Sequence, residues 1–309
     1  MIDTPLVSIL MTAFNREQYI AEAIKSVLDS TYQNWELIIV DDCSSDKTVQ
    51  IAKDFVDKEQ RIKVVVNNQN LGDYPNRNNA IGFASGEYIM FVDSDDKILR
   101  NGIERCVQSM LLFPNAEYGM YYIEEKGSSR FLPAEEAIQL HFFYKPFLTV
   151  GPGGTIIKNS FLKKLNGYPQ RYGPANDMYF NLKAVIEGGV VLLPFEFHYY
   201  RIHHRQEQNN KYSYLYNNFR YLRDAVLELK LPLNQEQKEF ILNKNRRRFL
   251  VNSVQYLLKS GNIKKAINAF RSAGYTVYDL YKGIFHYDIP KATRYTETSL
   301  TKVVNKIDS

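Results

Sequence analysis

The chain has 309 residues, of which 45% are hydrophobic and 24% charged, and its formal net charge at pH 7 is +5. This length exceeds that of one average domain, and the composition is that of a globular protein, which argues against wholesale disorder. With only two cysteines and no apolar run of about 18 residues, the sequence argues against a disulfide scaffold, a thiolate zinc cluster and a membrane-spanning helix.

Strands and helices alternate from the first residues onward. The predicted strands are Leu6–Met11, Trp35–Val40, Ile62–Val66 and Tyr88–Val92, and the predicted helices between them are Tyr19–Ser30, Thr48–Phe55 and Asn76–Ala84. Such alternation is typical of a Rossmann-like α/β fold, with a mostly parallel sheet and helices on both faces.

The regular alternation loosens after residue 92, and the chain becomes helical near its end. The predicted elements here are the helix Arg100–Phe113, the strands Tyr118–Ile123 and Thr155–Ile157, the helix Asn176–Glu187, the strand Val190–Leu193, and the helices Tyr214–Leu229, Gln235–Ser260 and Asn262–Ala273. We predict an α/β domain over residues 1–210 and a helical C-terminal region over residues 211–309.

The two predicted parts differ in charge. Residues 1–210 carry 21 basic and 26 acidic side chains, whereas residues 211–309 carry 18 basic and 8 acidic side chains. A strongly basic C-terminal region indicates a partner or role of its own.

Three aspartates follow the strand Tyr88–Val92. They are Asp93, Asp95 and Asp96. Ligands of open parallel sheets bind just beyond the carboxyl ends of the strands, and carboxylate oxygens suit hard cations. The cluster therefore predicts a site for Mn²⁺ or Mg²⁺ and an anionic partner.

Polar and aromatic residues also follow the first two strands, on the same predicted sheet edge. Phe14 could stack on a base, and Asp41 or Asp42 could accept a base N–H, as uracil and guanine offer. The chain has neither a P-loop nor a Gly-x-Gly-x-x-Gly motif after its first strand, so a metal is needed to balance a bound diphosphate. Arg77 adds a fixed positive charge near that position.

Five segments in this order resemble the GT-A glycosyltransferases of family 2. They are Val7–Asn15, Val40–Asp46, Asn70–Gly72 followed by Arg77, Gly86–Ile89, and Asp93–Asp96. The resemblance covers roughly residues 5–206. It implies a GT-A fold and inverting, metal-dependent transfer of a sugar from a nucleotide-diphosphate sugar, with UDP favoured. The implied acceptor is a hydroxyl of a glycan, lipid-linked or protein-linked molecule in cell-surface polysaccharide synthesis.

The resemblance also implies roles for individual residues. Thr12, Phe14 and Asp42 would hold the nucleoside, with Asp41 as their neighbour, and Arg77 would approach the diphosphate. Asp93 matches the acid near the ribose and phosphates, and Asp95 matches the metal ligand of the Asp-x-Asp motif. Asp96 would play a supporting part.

Two later segments complete the implied site. Asp177 matches the catalytic base at the start of a helix, where the helix N-terminus would favour an ionised carboxylate. Asn176 stands where the family often has Glu or Asp. Arg201 matches a residue that closes over the diphosphate, and His203 or His204 would complete the metal site.

Other interpretations of the sequence stay open. The basic helices, with Arg246, Arg247 and Arg248 before Phe249, are compatible with peripheral contact with an anionic membrane, and equally with a solvated face over a helical core. No nucleic-acid recognition motif accompanies the charge. With no signal segment at the N-terminus, we expect a cytoplasmic protein, at the inner face of the plasma membrane if it binds lipid.

Two other functions are compatible with parts of this sequence. A non-catalytic nucleotide- or glycan-binding scaffold of the same fold is the alternative. A sugar-nucleotide pyrophosphorylase is disfavoured because no glycine-rich basic loop follows the first strand.

Overall fold

The structure, a computed structural model, describes residues 4–122, 127–202 and 210–286. They form two units. The first contains the described residues of 1–132, 150–170 and 188–203, and the second contains those of 133–149, 171–187 and 204–309. The predicted division at residue 210 stays a prediction.

The first unit is an α/β structure. Its strands are β1 (Val7–Ala13), β2 (Trp35–Asp41), β3 (Ile62–Val66), β4 (Tyr88–Phe91), β5 (Lys97–Ile98), β6 (Tyr118–Tyr121), β7 (Arg130–Leu132), β8 (Thr155–Lys158), β9 (Val190–Leu193) and β10 (His198–Tyr199). Its helices are α1 (Ile20–Leu28), α2 (Thr48–Val56), α3 (Asp73–Ile81), α4 (Gly102–Leu111) and α6 (Asn159–Lys164).

Within the described residues, eight strands form one mixed sheet in the order β3-β2-β1-β4-β8-β6-β9-β7. The half that contains β3, β2, β1 and β4 is parallel throughout. β8 runs antiparallel to both of its neighbours, β4 and β6. The predicted α/β fold with a mostly parallel sheet is therefore confirmed.

The central strands are buried because their sequences are almost entirely apolar. Every residue of β4 is buried, and Thr12 is the one residue of β1 that is half-buried rather than buried. Strands covered on both faces need such continuous apolar runs, which is why the sequence located them well. β3 and β9 have the predicted bounds, whereas α3 begins at Asp73 instead of Asn76.

The sequence did not predict the short elements. β5 and β10 have two residues each and pair antiparallel as a separate ribbon. β7 has three residues and lies at the sheet edge. Strands this short have too few residues to show an apolar alternation.

The second unit is helical. It contains α5 (Ala134–Phe143), α7 (Asn176–Gly188, whose last residue belongs to the first unit), α8 (Lys211–Glu228), α9 (Gln235–Ser260), α10 (Ile263–Ala273) and α11 (Val277–Phe285). An Asn234–Gln237 capping box starts α9, and Gly261 ends it in the left-handed region at φ 63°. No helix among the described residues has both the length and the apolar character to cross a membrane.

A buried histidine makes the stability of the second unit depend on pH. His141 on α5 is 7% exposed, and its Nδ1 accepts the backbone N–H groups of Phe147 and Leu148, both at 3.1 Å. Burial, reinforced by the charges of Arg248 and Lys244, lowers the pKa of His141 to about 3.

The unfolded chain therefore binds a proton at this histidine near pH 6.5, whereas the folded chain does not until about pH 3. Its contribution to stability is complete above pH 6.5 and is lost as the pH falls toward 3. Between pH 7 and pH 5 we expect the free energy of unfolding to fall by about 2 kcal/mol from this group.

Urea unfolding at the two pH values measures this loss. We expect His141→Gln to flatten the pH dependence, whatever its effect on stability at pH 7. An equal pH dependence in wild type and His141→Gln would contradict the assignment.

Candidate active site

The carboxyl ends of β2, β1 and β4 lie side by side, because these three strands are neighbours and parallel. The predicted residues that follow them therefore share one edge of the sheet. Thr12 is half-buried near the end of β1, and Phe14, just beyond it, is 43% exposed, so its ring is available to a ligand.

The aspartates after β2 organise the adjacent loops. Asp42 Oδ1 accepts hydrogen bonds from the Asn67 side chain and the Leu71 backbone, and Oδ2 accepts one from the Gly72 backbone, each at 2.8 Å. Asp41 accepts the backbone and hydroxyl groups of Ser44 at 2.8 and 2.6 Å. A carboxylate oxygen can accept two hydrogen bonds, so these hydrogen bonds leave acceptor capacity for a base.

Asp41 and Asp42 have different surroundings. Burial is the largest influence on Asp41 and raises the pKa of its carboxyl group, although the Ser44 hydrogen bonds work in the other direction. Asp42 fixes the segment Asn70–Gly72, where Gly72 has φ 90° and therefore favours glycine. This explains why the resembling segment Asn70–Gly72 accompanies the aspartate pair.

Arg77 lies against the aspartate that follows β4. Its Nε is 2.8 Å from Asp73 Oδ1, and its NH1 is 2.7 Å from Asp93 Oδ1. Burial disfavours the charged guanidinium and by itself would lower the pKa of Arg77. The charges of Asp73 and Asp93 outweigh burial and raise this pKa well above its ordinary value. The structure thus places Arg77 and Asp93 together, as a fixed charge pair at the sheet edge.

A second arginine contacts the predicted metal ligand, and the sequence analysis missed it. Arg16 Nε lies 2.9 Å from Asp95 Oδ2. The backbone carbonyls of Phe14 and Asn15 accept hydrogen bonds from Arg16 NH1, which ties the guanidinium to the loop after β1. Its position directly after the Thr12–Asn15 segment was the available signal.

The remaining aspartate is held by Arg201. The Arg201 backbone N–H donates to Asp96 Oδ1 at 2.9 Å, and its Nε donates to the Asp95 carbonyl at 2.9 Å. Burial raises the pKa of Asp96 to about 7, and the charges of Asp93 and Asp95 add to this shift. Each of the three aspartates therefore contacts an arginine, and the charges of Asp93 and Asp95 still raise the pKa of Asp96.

Two aromatic residues before Arg201 are also coupled electrostatically to this cluster. The pKa of Tyr200 is raised to about 12 by burial and by the charges of Asp96, Asp93 and Asp95. His198 Nδ1 is buried without a hydrogen-bond partner among the described residues, and burial lowers its pKa against the pull of Asp93. Neither residue was a predicted site residue, because the short ribbon of β5 and β10 that brings them near the acids leaves no pattern in the sequence.

The oxygen atoms of the aspartate cluster fit a divalent cation. Asp93 Oδ1 is buried and, despite its closeness to Arg77, has no aligned hydrogen bond within the described residues. No group of three His, Cys, Asp or Glu side chains in the described part of the chain is arranged to enclose a metal. Mg²⁺-type sites commonly use one or two carboxylates plus substrate phosphates, so this donor set suits an ion that binds together with a diphosphate.

The predicted base belongs to the second unit. Asp177 lies in the first turn of α7, is 9% exposed, and accepts the Met178 backbone N–H at 2.7 Å. Before it, Asn176 accepts the Tyr172 backbone N–H at 2.9 Å and donates to the Gly173 carbonyl at 2.7 Å. A carboxylate could not make the second bond, which gives a physical reason for asparagine at this position. The predicted metal ligands His203 and His204 lie outside the described residues.

Residues 8–164, about half of the chain, match the family described as Glycosyl transferase family 2. The chain belongs to this family. The identification agrees with the resemblance carried by the five segments.

Curated relatives are similar over part of their length. WfgD of Escherichia coli, a UDP-Glc:alpha-D-GlcNAc-diphosphoundecaprenol beta-1,3-glucosyltransferase, is 43% identical over 129 residues, which are 41% of this chain and 50% of that protein. The putative teichuronic acid biosynthesis glycosyltransferase TuaG of Bacillus subtilis is 35% identical over 138 residues, 43% of this chain and 55% of that protein. The chain spans about half the length of these relatives.

Solved structures share the fold over nearly the whole chain. TarS of S. aureus in complex with UDP-GlcNAc has a TM-score of 0.69 at 21% identity, covering 96% of this chain and 92% of that one. The mannosyltransferase PcManGT of Pyrobaculum calidifontis, in complex with GDP-Man and Mn²⁺, has a TM-score of 0.61 at 16% identity, covering 97% and 87%. The likeness establishes a GT-A-type fold for this chain.

Proposed function

We propose that this protein is an inverting, metal-dependent glycosyltransferase that takes a sugar from a nucleotide-diphosphate sugar. The observation that carries the proposal is the aspartate cluster at the carboxyl end of β4. It lies beside the ends of β1 and β2, and an arginine contacts each aspartate. A nucleotide needs a base platform, hydrogen-bond acceptors and a charged phosphate site, and this edge offers all three.

UDP is the favoured nucleotide. The relative WfgD uses UDP-Glc by its name, and TarS was solved with UDP-GlcNAc. WfgD also acts on a lipid-linked diphosphate acceptor by its name. We extend these properties to this chain: a UDP-hexose donor, a lipid-linked, glycan or protein-linked acceptor, and a role in cell-surface glycan synthesis at the cytoplasmic side of the membrane.

Different residues at the sheet edge would contact the base, the ribose and the diphosphate of the donor. Phe14 stacks on the base, and Asp41 and Asp42 accept its ring N–H with the help of Thr12 nearby. Arg77 and Arg201 contact the diphosphate, and Asp93 lies between the ribose and the phosphates. The exposed ring of Phe14 and the buried charge of Arg77 support these roles.

The metal would be held by Asp95, with His203 or His204 and the diphosphate oxygens. When bound, Mn²⁺ or Mg²⁺ neutralises the diphosphate and stabilises it as a leaving group. Arg16 Nε lies 2.9 Å from Asp95 Oδ2. We infer that Arg16 balances the charge of Asp95 and would compete with an ion for that carboxylate.

Asp177 would supply the base for transfer. Its carboxylate takes the proton from the acceptor hydroxyl, and the hydroxyl oxygen attacks the anomeric carbon. The bond from that carbon to the diphosphate oxygen breaks, and its electron pair leaves with the nucleotide. One displacement at the anomeric carbon inverts its configuration. We also propose that residues 1–210 form the catalytic domain and that residues 211–309 form a basic helical region.

A donor panel tests the proposed function. The purified full chain is incubated with UDP- and GDP-sugars, with Mn²⁺ or with EDTA, and released nucleotide is measured. We expect slow Mn²⁺-dependent release of UDP from one UDP-hexose or UDP-N-acetylhexosamine, and none in EDTA. Nucleotide binding without any release across the panel, also when acceptor lipids are added, would favour the non-catalytic scaffold.

A further inference from the structure

Helix α11 points its apolar residues outward. Of its nine residues, six large apolar ones are between 38% and 84% exposed. They are Val277, Tyr278, Leu280, Tyr281, Ile284 and Phe285. Single exposed apolar residues are common on protein surfaces, but a contiguous set on one helix marks an interaction site.

The inward face of α11 is polar and tightly packed. Asp279, 7% exposed, accepts a hydrogen bond from Arg246 Nε on α9 at 2.7 Å and from the Thr276 hydroxyl at 2.8 Å. A side chain on Gly283 would come within 3.1 Å of the Arg246 Cβ atom and the Arg247 backbone nitrogen. Rotating α11 to bury its apolar residues would break the Asp279–Arg246 ion pair and the close packing of Gly283 on α9. These two contacts therefore hold the apolar residues on the outward side.

The surroundings of α11 are strongly basic. Residues 210–286 carry 14 Lys and Arg residues against 5 Asp and Glu residues. Four of those five acids are already paired with arginine or lysine. The pairs are Asp224 with Arg223, Glu228 with Arg171, Glu239 with Lys282, and Asp279 with Arg246. These helices therefore carry an excess of positive charge that would attract an anionic partner.

Helix α10 repeats the combination of apolar and basic residues on its exposed side. Ile263 and Ile267 are 64% and 49% exposed. Lys264 and Lys265 lie between them in the sequence, Arg271 follows one turn after Ile267, and all three basic residues are exposed. Its buried side consists of small residues such as Ala266 and Ala269. An exposed apolar stripe among lysines and arginines is typical of a helix that lies in a membrane interface.

We propose that the outward face of α11, assisted by the exposed basic residues of α10, docks this protein on an anionic lipid bilayer. Tyrosines suit the boundary between apolar chains and water, because each has an apolar ring and a polar tip. A second copy of the chain is a poor occupant, since pairing would bring two strongly basic units together. The docking does not depend on which donor or acceptor the enzyme uses.

The structure also revises which basic residues face the lipid. Arg246 is committed to Asp279, and Arg248 donates to Asn245 at 3.2 Å, so two residues of the predicted arginine cluster have internal contacts. Phe249, which follows them, is part of the helical core. Lys264 and Lys265 are the exposed pair.

Cosedimentation of the full chain with vesicles tests the proposal. The vesicles contain either phosphatidylcholine alone or about one third phosphatidylglycerol. We expect binding to the anionic vesicles only, with Val277→Asp and Phe285→Asp each weakening the partition coefficient about tenfold. Leu227→Asp, at a 67% exposed position on α8, makes the same charge change and is expected to weaken binding less than about twofold.

Further variants and outcomes keep the test decisive. Lys264→Glu with Lys265→Glu should reduce binding to anionic vesicles and make the remaining binding less sensitive to salt, because less of it is electrostatic. Circular dichroism verifies that each variant is folded. Absence of wild-type binding at low salt would overturn the proposal, as would equal binding by the α11 and Leu227 variants. A dimer that the α11 variants dissociate, without vesicle binding, would assign the face to a second copy instead.

Discussion

Asp177→Asn is expected to bind the nucleotide-sugar donor normally and to lose sugar transfer. The substitution keeps the size of the side chain and its ability to accept the Met178 N–H, but removes the basic carboxylate. General bases contribute roughly 10²- to 10⁴-fold to enzymatic rates, so we expect a fall in the transfer rate of that order. The donor dissociation constant should change less than about twofold, because the carboxylate acts on the acceptor.

Glu187→Gln is the matched control for Asp177→Asn. It makes the same change from acid to amide on the same helix, at an exposed position. Its transfer rate should stay within about twofold of wild type. A folded Asp177→Asn protein with full transfer activity would remove Asp177 as the base.

Asp95→Asn is expected to uncouple nucleotide binding from the metal. An amide oxygen is a weaker ligand for a hard cation than a carboxylate, so UDP binding in the presence of Mn²⁺ should weaken at least about tenfold. Binding in EDTA should change little, because no metal contributes there. Titration calorimetry with UDP, with and without Mn²⁺, measures both values.

Two comparison variants define this effect. Asp57→Asn removes an exposed carboxylate elsewhere in the first unit and should leave both affinities unchanged. Arg16→Gln frees the Asp95 carboxylate from its 2.9 Å ion pair and should strengthen Mn²⁺ binding in the absence of nucleotide. This effect is opposite in sign to the weakening expected for Asp95→Asn. If Asp95→Asn leaves the Mn²⁺ dependence of UDP binding intact, Asp95 is not the metal ligand.

The parts of the site that could be predicted from sequence are those fixed by long buried strands. The apolar run before Asp93 could only be an internal strand, and the alternation with helices placed its end beside those of the first two strands. Asp41, Asp42 and the aspartate cluster share one edge for that reason. Local patterns sufficed because each of these residues directly follows a strand.

The parts that escaped prediction depend on contacts between distant segments. Arg16 meets Asp95 across 79 positions of sequence, and the Arg201 backbone meets Asp96 across 105. His198 and Tyr200 reach the acids through a ribbon of two-residue strands, too short to leave a pattern. Helix α11 was not among the helices predicted from the sequence, and its buried residues include Asp279 and Gly283 instead of the apolar residues that usually mark a core-facing side.

Anomalous X-ray scattering from a crystal grown with UDP and Mn²⁺ tests the central claim most directly. We predict one manganese peak within bonding distance of an Asp95 carboxylate oxygen and of the diphosphate, with Arg16 displaced from that oxygen. The uracil should lie beside Phe14 at the ends of β1 and β2. Bound UDP at this edge with no manganese at Asp95, or UDP bound elsewhere, would contradict the account.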